Sequence, residues 1–172
     1  MKPLVGSGYL KTADIEAVKS LISPNFALIN PAVVCGKAHL KQAAYLADNA
    51  HIGEYNLSKD RSTEALLYLT AQRQISKAIE IGGITEQTTE VAWISFDNIP
   101  NKITEFLSPD NSIISHDKFD YSTINLDEKL DLSFDAKQKI VMTRTATLPA
   151  VSYTHLRAHE TREDRVCRLV LE

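Results

Sequence analysis

The sequence has few of the features that mark secreted, membrane-spanning or zinc-binding proteins. Its two cysteines, Cys35 and Cys167, are too few for a disulfide framework and are not spaced as a CxxC pair of zinc ligands. No apolar run approaches the ~20 residues that a membrane-spanning helix needs, and residues 1–8 contain no extended apolar segment typical of a secretion signal. We therefore predict a cytoplasmic protein with no membrane partner.

Motifs of common enzyme and cofactor-binding classes are missing as well. The glycines at residues 6–8 stand at the start of the sequence, and those at 82–83 end a predicted helix, so neither pair forms a phosphate-binding loop. No GxSxG elbow is present, and His51 and His116 have no further ligands at metal-binding spacing. The sequence therefore predicts no cofactor, no metal and no small-molecule substrate.

The composition is that of an ordinary globular domain. With 172 residues, 44% of them apolar, the chain can bury roughly two-thirds of the surface that it exposes when unfolded. Its formal net charge of −3 argues against a protein coated in positive charge, but it permits a local basic patch of the kind that binds nucleic acid.

The hydrophobic pattern predicts an α+β fold, a single compact domain in which a small β-sheet packs with several helices. Strands are predicted at 91–96, where apolar residues alternate, and at 26–35, interrupted or edged at Pro31. Alanines spaced along 36–51 predict a long helix that neighbouring elements can approach closely. Further helices are predicted at 14–22, 71–81, 100–107, 126–132 and 135–141, and another is predicted to begin with a cap at residue 60 or 62. In the helix at 71–81, Ile75, Ala78 and Ile79 are expected to face inward. A short strand is predicted near 113–114.

The last residues of the sequence differ in character from the rest. From Val151 to Glu172 the chain resembles the translated read-through of a DNA sequencing adapter, a string that recurs at the ends of unrelated gene predictions. His155 and His159 stand four residues apart there, but no acid lies between them as in HExxH or HxxEH. We therefore predict a domain at residues 1–150 and a non-native tail at residues 151–172.

One pair of residues leaves an enzymatic interpretation open. Cys35 stands at the end of a predicted strand, directly before a helix whose N-terminus could stabilise a thiolate. His39, four residues later, could act as the base of a small cysteine-dependent enzyme. The alternative is that Cys35 is a small core residue and that His39 packs or faces solvent.

Basic residues recur near the predicted helix starts. If these helix ends converge, they offer several hydrogen-bond donors to a phosphate backbone. If they do not, the same residues are scattered solvated charges, and Arg73 with Gln74 can equally brace neighbouring loops. The residues predicted to bind RNA are Lys37, His39, Lys59, Arg61, Arg73 and Lys77.

The same stretch resembles a known family. Gly36-Lys-Ala-His39 and the alanine-rich helix are followed by Arg61-Ser-Thr-Glu64-Ala-Leu-Leu-Tyr-Leu, by Arg73-Gln-Ile-Ser-Lys-Ala78-Ile and by Gly83-Ile84. In their order and spacing these segments resemble the kinase-binding subunit of the KEOPS complex. The resemblance is close over residues 33–97 and looser elsewhere.

The resemblance implies a non-catalytic adaptor. Members of that family bind the small atypical kinase, an ATPase, of KEOPS, which installs threonylcarbamoyladenosine in tRNA, and they capture the single-stranded 3′ CCA end of tRNA. The chain lacks extensions and so fits the archaeal form of the family best. In the family a final apolar segment follows the position of Ala150, near the kinase-binding surface, and here the adapter-like tail replaces it.

The surface that binds the kinase is not marked by a motif. An apolar helical face is expected, and Phe106 and Leu130 are candidates for it, although both residues also fit a core role. A generic protein-interaction module without a nucleic-acid role is a further alternative.

Overall fold

A four-stranded antiparallel sheet forms the centre of the part of the chain that the structure describes. The structure is a computed structural model, and it describes residues 2–114, 118–124 and 131–148. The strands are β1 (Leu4–Leu10), β2 (Phe26–Ile29), β3 (Glu90–Ser95) and β4 (Leu107–Pro109), and their order in the sheet is β2-β3-β1-β4. The α+β fold class that the hydrophobic pattern predicts is thereby confirmed.

Helices cover both faces of the sheet. They are α1 (Ile15–Lys19), α2 (Gly36–Ile52), α3 (Arg61–Thr70), α4 (Ile75–Gly82), α5 (Ile103–Phe106) and α6 (residues 134–148), with 3₁₀ turns at Pro31–Val33 and Tyr121–Ile124. Within the described residues, none of these helices is long and apolar enough to span a bilayer.

Side chains alternate between two apolar clusters because successive strand residues point to opposite faces of a sheet. Ala27 and Ile29 of β2 join the cluster formed with α2 and α3, in which Ala43, Ala44 and Ala47 are fully buried. Phe26 and Leu28 of the same strand join the cluster formed with α1 and α5. The small alanines allow α2 to lie close to α3 and to the sheet.

Helices α2 and α3 form an antiparallel pair. The short connection 53–60 joins the end of α2 to the start of α3, where Arg61 Nε lies 3.3 Å from Asp48 Oδ1 of α2. At the other end of the pair, Ala71 follows α3 and packs against the cluster that contains Cys35, the residue before α2. This arrangement determines which of the predicted site residues can lie close together.

Strand β1 was not predicted from the sequence. Its residues Gly6, Ser7 and Gly8 resemble a loop, yet all three are buried in the sheet. Gly6 pairs with Trp93, whose indole occupies the space that a side chain at position 6 would need. The glycines therefore permit close packing in a central strand, which local composition does not indicate.

Several predicted boundaries were wrong. Helix α4 begins at Ile75 and not at residue 71, because Ala71 adopts a left-handed conformation (φ 49°) that ends α3. The strand predicted at 26–35 ends at Ile29, and Pro31 begins a 3₁₀ turn instead. The last described helix extends to residue 148, whereas the sequence predicted its end at 141.

Other predictions differ from the structure or lie outside the described residues. Residues 113–114 are buried but belong to no strand, and residues 131–133 are not helical. The rest of the helix predicted at 126–132 lies largely outside the described residues, and so does Leu130. The predicted tail, residues 151–172, also lies outside them.

Candidate functional site

Cys35 and His39 are both fully buried and form a structural contact. The backbone N–H of Cys35 donates to His39 Nδ1 (3.1 Å), so the imidazole proton is on Nε2, which lies 2.9 Å from Thr145 Oγ1 of α6. Burial lowers the pKa of His39 to about 4. Burial also raises the pKa of the Cys35 thiol to about 11, against an opposing hydrogen bond with Tyr121. The Cys35 thiol is therefore protonated and enclosed, and His39 Nδ1 accepts a hydrogen bond from the backbone instead of from the thiol. Cys35 is a poor nucleophile in this state.

The structure therefore corrects two predictions for these residues. His39 has no exposed surface and cannot contact RNA, so we remove it from the predicted RNA-binding set. The proposed cysteine-dependent enzyme loses its support because its nucleophile and base are buried in the core. The contact of His39 with Thr145 helps instead to fix α6 on α2, together with Gln138 Nε2, which donates to the Cys35 carbonyl (3.1 Å).

We expect Cys35 to resist alkylation. In a Cys167→Ser variant, which leaves Cys35 as the one cysteine of the sequence, iodoacetamide at pH 7.5 should label the native protein at least about a hundredfold more slowly than the urea-unfolded protein, because the thiol is buried and protonated. Mass spectrometry of quenched samples measures both rates. Fast labelling of the native protein would restore the enzymatic interpretation.

The remaining predicted RNA-binding residues form two groups. Lys59 and Arg61 lie at the start of α3, where Arg61 also points Nη1 toward Asn25 Oδ1 (3.5 Å). Lys37 lies in the first turn of α2, eleven residues before the Asp48 that contacts Arg61, which corresponds to roughly 16 Å along the helix at ~1.5 Å per residue. The cations thus do not converge on a single point.

The second group surrounds the other end of the α2–α3 pair. Lys37, Arg73 and Lys77 are exposed there. Lys77 lines a shallow depression of about 280 Å³ with Gln72 and Asp120, so an acidic side chain accompanies this group. Acidic side chains accompany both groups, since Asp48 contacts Arg61, and the first group is distinguished by the apolar surface beside it.

An apolar groove lies beside the first group of cations. It measures about 150 Å³ and is open to solvent between the turn after α1, strand β2, and helices α3 and α4. Ser62, the residue after Arg61, forms part of its wall, and its backbone N–H donates to the Pro24 carbonyl (3.0 Å). The residues that line the groove are Ile22, Ala27, Leu28, Ser62, Thr63, Leu66 and Ile79.

The prediction that Ile75 and Ile79 of α4 face inward was wrong, whereas Ala78 is buried as predicted. Ile75 and Ile79, one turn apart on α4, are 41% and 51% exposed, and Ile22 across the groove is 43% exposed. Helix α4 instead packs on α3 through Ala78 and Gly82. A Cβ at position 82 would lie 2.6 Å from Leu66 Cδ1, so this close contact turns the isoleucines outward. The sequence signal that was missed is the small-residue pair four positions apart.

A buried carboxylate braces the loop that contains Lys59. Glu64 is 1% exposed, and its Oε2 accepts hydrogen bonds from the backbone N–H groups of Leu57 (3.0 Å) and Ser58 (2.6 Å). Burial raises the pKa of Glu64, and the two hydrogen bonds oppose that shift. No ion pair joins Glu64 to a basic side chain in the described part of the chain, so the backbone donors are its main compensation.

The predicted kinase-contact residues are only partly placed. Phe106 is half-buried against the cluster of α1 and α5, and Leu130 lies outside the described residues. Other large apolar side chains are exposed on α2 and just after it, at Tyr45, Ile52 and Tyr55.

A comparison with known protein families gives a match over most of the chain. The family described as kinase binding protein CGI-121 matches residues 11–138, which include the groove, both groups of cations and helices α1 to α5. None of the curated proteins matches the chain. In the described ranges, no group of three or more His, Cys, Asp or Glu side chains is arranged to bind a metal ion.

Proposed function

Because the chain belongs to the KEOPS CGI-121 family of kinase-binding proteins, we propose that it is a non-catalytic adaptor that holds tRNA against the kinase, an ATPase, of that complex. In this role it supports threonylcarbamoyladenosine modification of tRNA in the cytoplasm. The observation on which the RNA part of the proposal depends is the apolar groove that opens beside Lys59 and Arg61.

The groove suits the single-stranded 3′ CCA end of tRNA. Single-stranded RNA is recognised where unstacked bases enter apolar surfaces while cations contact the phosphates. Ile22 and Ile79 provide apolar contacts on two sides of the groove, and Lys59 and Arg61 stand within three residues of Ser62 in its wall. A terminal base would occupy the groove, and its phosphates would lie at the start of α3, where the helix N-terminus also favours anions.

Arg61 would bind phosphate without leaving its present neighbours. Its guanidinium has five N–H donors, of which Nε faces Asp48 and Nη1 faces Asn25. These contacts hold the side chain along the surface and reduce the conformational entropy that binding would cost. Lys59 is exposed and more flexible, so its contribution is chiefly charge.

The second group of cations would contact the tRNA body. Lys37, Arg73 and Lys77 lie away from the groove, so phosphate contacts there add affinity without distinguishing the 3′ end. An adaptor that binds kinase and tRNA at once raises the effective concentration of tRNA near the catalytic subunits, without chemistry of its own. Phe106 and Leu130 stay predictions for the kinase contact, and the exposed Tyr45 and Ile52 of α2 extend the choice of surfaces.

We expect the chain to recruit tRNA to immobilised kinase. Kinase-coated beads should retain a labelled tRNA transcript ending in CCA at least about tenfold better with the chain than without it, because the affinities of both contacts combine. The matched control is the same transcript without its CCA end, which should lose most of that gain. Equal retention of the two transcripts would exclude the groove as the tRNA site, and retention of the chain on the beads with no gain in tRNA retention would favour the generic interaction module.

A further inference from the structure

Ser58 makes three hydrogen bonds within the loop before α3 and to that helix. Ser58 is buried, its N–H donates to Glu64, and its carbonyl accepts from Asn56 Nδ2 (2.8 Å). Its Oγ in turn accepts a long hydrogen bond from the Asp60 N–H (3.4 Å). Lys59, the next residue, is exposed, so a fully braced residue directly precedes the cation.

Glu64 is the strongest of these braces. It lies in the first turn of α3 and reaches back past the helix start, much as the acid of a capping box reaches back to its N-cap. Hydrogen bonds from N–H groups to a carboxylate are about twice as strong as neutral ones. Both bonds end on one oxygen, Oε2, so a single atom fixes the backbone of Leu57 and Ser58.

We propose that Glu64 is a positioning residue for RNA binding, which orients the Lys59 loop beside the apolar groove without touching the RNA. The inference rests on the proposed function and goes beyond it, because it assigns a role in RNA affinity to a buried side chain of the opposite charge to the cations. Without Glu64 the N–H groups of Leu57 and Ser58 lose their partner and the loop becomes mobile. Lys59 then contacts phosphate only after it has been ordered again, which costs affinity.

Salt-dependent binding of a single-stranded RNA oligonucleotide ending in CCA tests the proposal. Glu64→Ala should weaken binding about tenfold and lower the slope of log Kd against log salt by ~0.7, the value of one phosphate contact on a single strand. Glu64→Gln should bind within about threefold of the original chain, because an amide oxygen in place of Oε2 still accepts both N–H groups.

A double-mutant cycle separates positioning from general destabilisation. If Glu64 acts through Lys59, then Glu64→Ala should cost almost nothing further in a Lys59→Ala background. Thr145→Val, which removes a buried hydrogen bond far from the loop, is the control for lost stability and should leave affinity and salt slope unchanged. A loss of affinity from Glu64→Ala that is equal with and without Lys59, or no loss at all, would overturn the proposal.

A second variant covers the case in which Glu64→Ala does not fold. Asn56→Ala removes the other brace on Ser58 from an exposed position, and it should weaken binding and lower the salt slope in the same direction. Full affinity in this variant would then overturn the role of the braced loop. If the original chain itself fails to bind the CCA oligonucleotide, the proposed function fails. If the original chain binds the oligonucleotide and Glu64→Ala binds it equally well, the inference alone fails.

Discussion

Replacing Ile79 by glutamate should weaken binding of RNA ending in CCA by about 10- to 100-fold. Apolar contact of a base with Ile79 would contribute at most the about 1–3 kcal/mol of base stacking on an aromatic side chain, and the new carboxylate would also repel the phosphates. Ile79 is half exposed and lines the groove, so the substitution should change the surface and not the core. Fluorescence anisotropy with a labelled single-stranded RNA, with and without the CCA end, measures the effect.

The chain offers a matched control for this substitution. Leu132, just before α6, is 38% exposed and does not line the groove, and α6 contacts the opposite end of α2 from Arg61, so Leu132→Glu makes a similar chemical change away from Lys59 and Arg61. We expect that variant to bind RNA within about twofold of the original chain, and both variants to keep the original melting temperature within a few degrees. Equal losses in the two variants would show that net charge, and not the groove, determines RNA affinity.

Acidification from pH 7 to pH 4 should cost about 3 kcal/mol of folding stability through His39 alone. The pKa of this imidazole falls from 6.5 when unfolded to about 4 in the fold. Its contribution is fully present above pH ~6.5 and is lost as the pH falls toward 4, because the unfolded chain binds the proton first. Protonation would also place an N–H on Nδ1, where the Cys35 N–H already points.

Urea unfolding at several pH values tests this expectation against a variant that does not titrate. His39→Gln keeps an acceptor for the Cys35 N–H and a donor for Thr145 Oγ1. Between pH 7 and pH 4 it should lose about 3 kcal/mol less than the original chain does. Identical pH profiles for the two proteins would mean that His39 is solvated or charged in solution, contrary to its burial.

The elements that the sequence predicted well are those in which local pattern and tertiary packing agree. Alanines at helical spacing predicted α2 within one residue of its observed end, and the alternation at 91–96 predicted β3. Strand β1 was missed because Gly6 and Gly8 have poor strand propensity, and their value lies in contacts with Trp93 and Ser108 that only the folded sheet creates.

The candidate site was predictable in part. Lys59 and Arg61 were chosen because they stand near the start of a helix, and they do lie there. The groove beside them was not foreseen, since three segments far apart in sequence form its walls. His39 was wrongly predicted to bind RNA because a polar side chain near a helix start can be either exposed or buried. Its burial follows from α6, more than ninety residues further along the chain.

The contact between α3 and α4 passes through Gly82, a residue without a side chain. Leu66 touches Gly82 on one side and lines the groove on the other, opposite Ile79. A methyl group at position 82 would displace the end of the Leu66 side chain or move α4 away from α3, and either change would alter the space between Leu66 and Ile79. Position 82, which no ligand could touch, therefore determines how large a chemical group fits between these two helices.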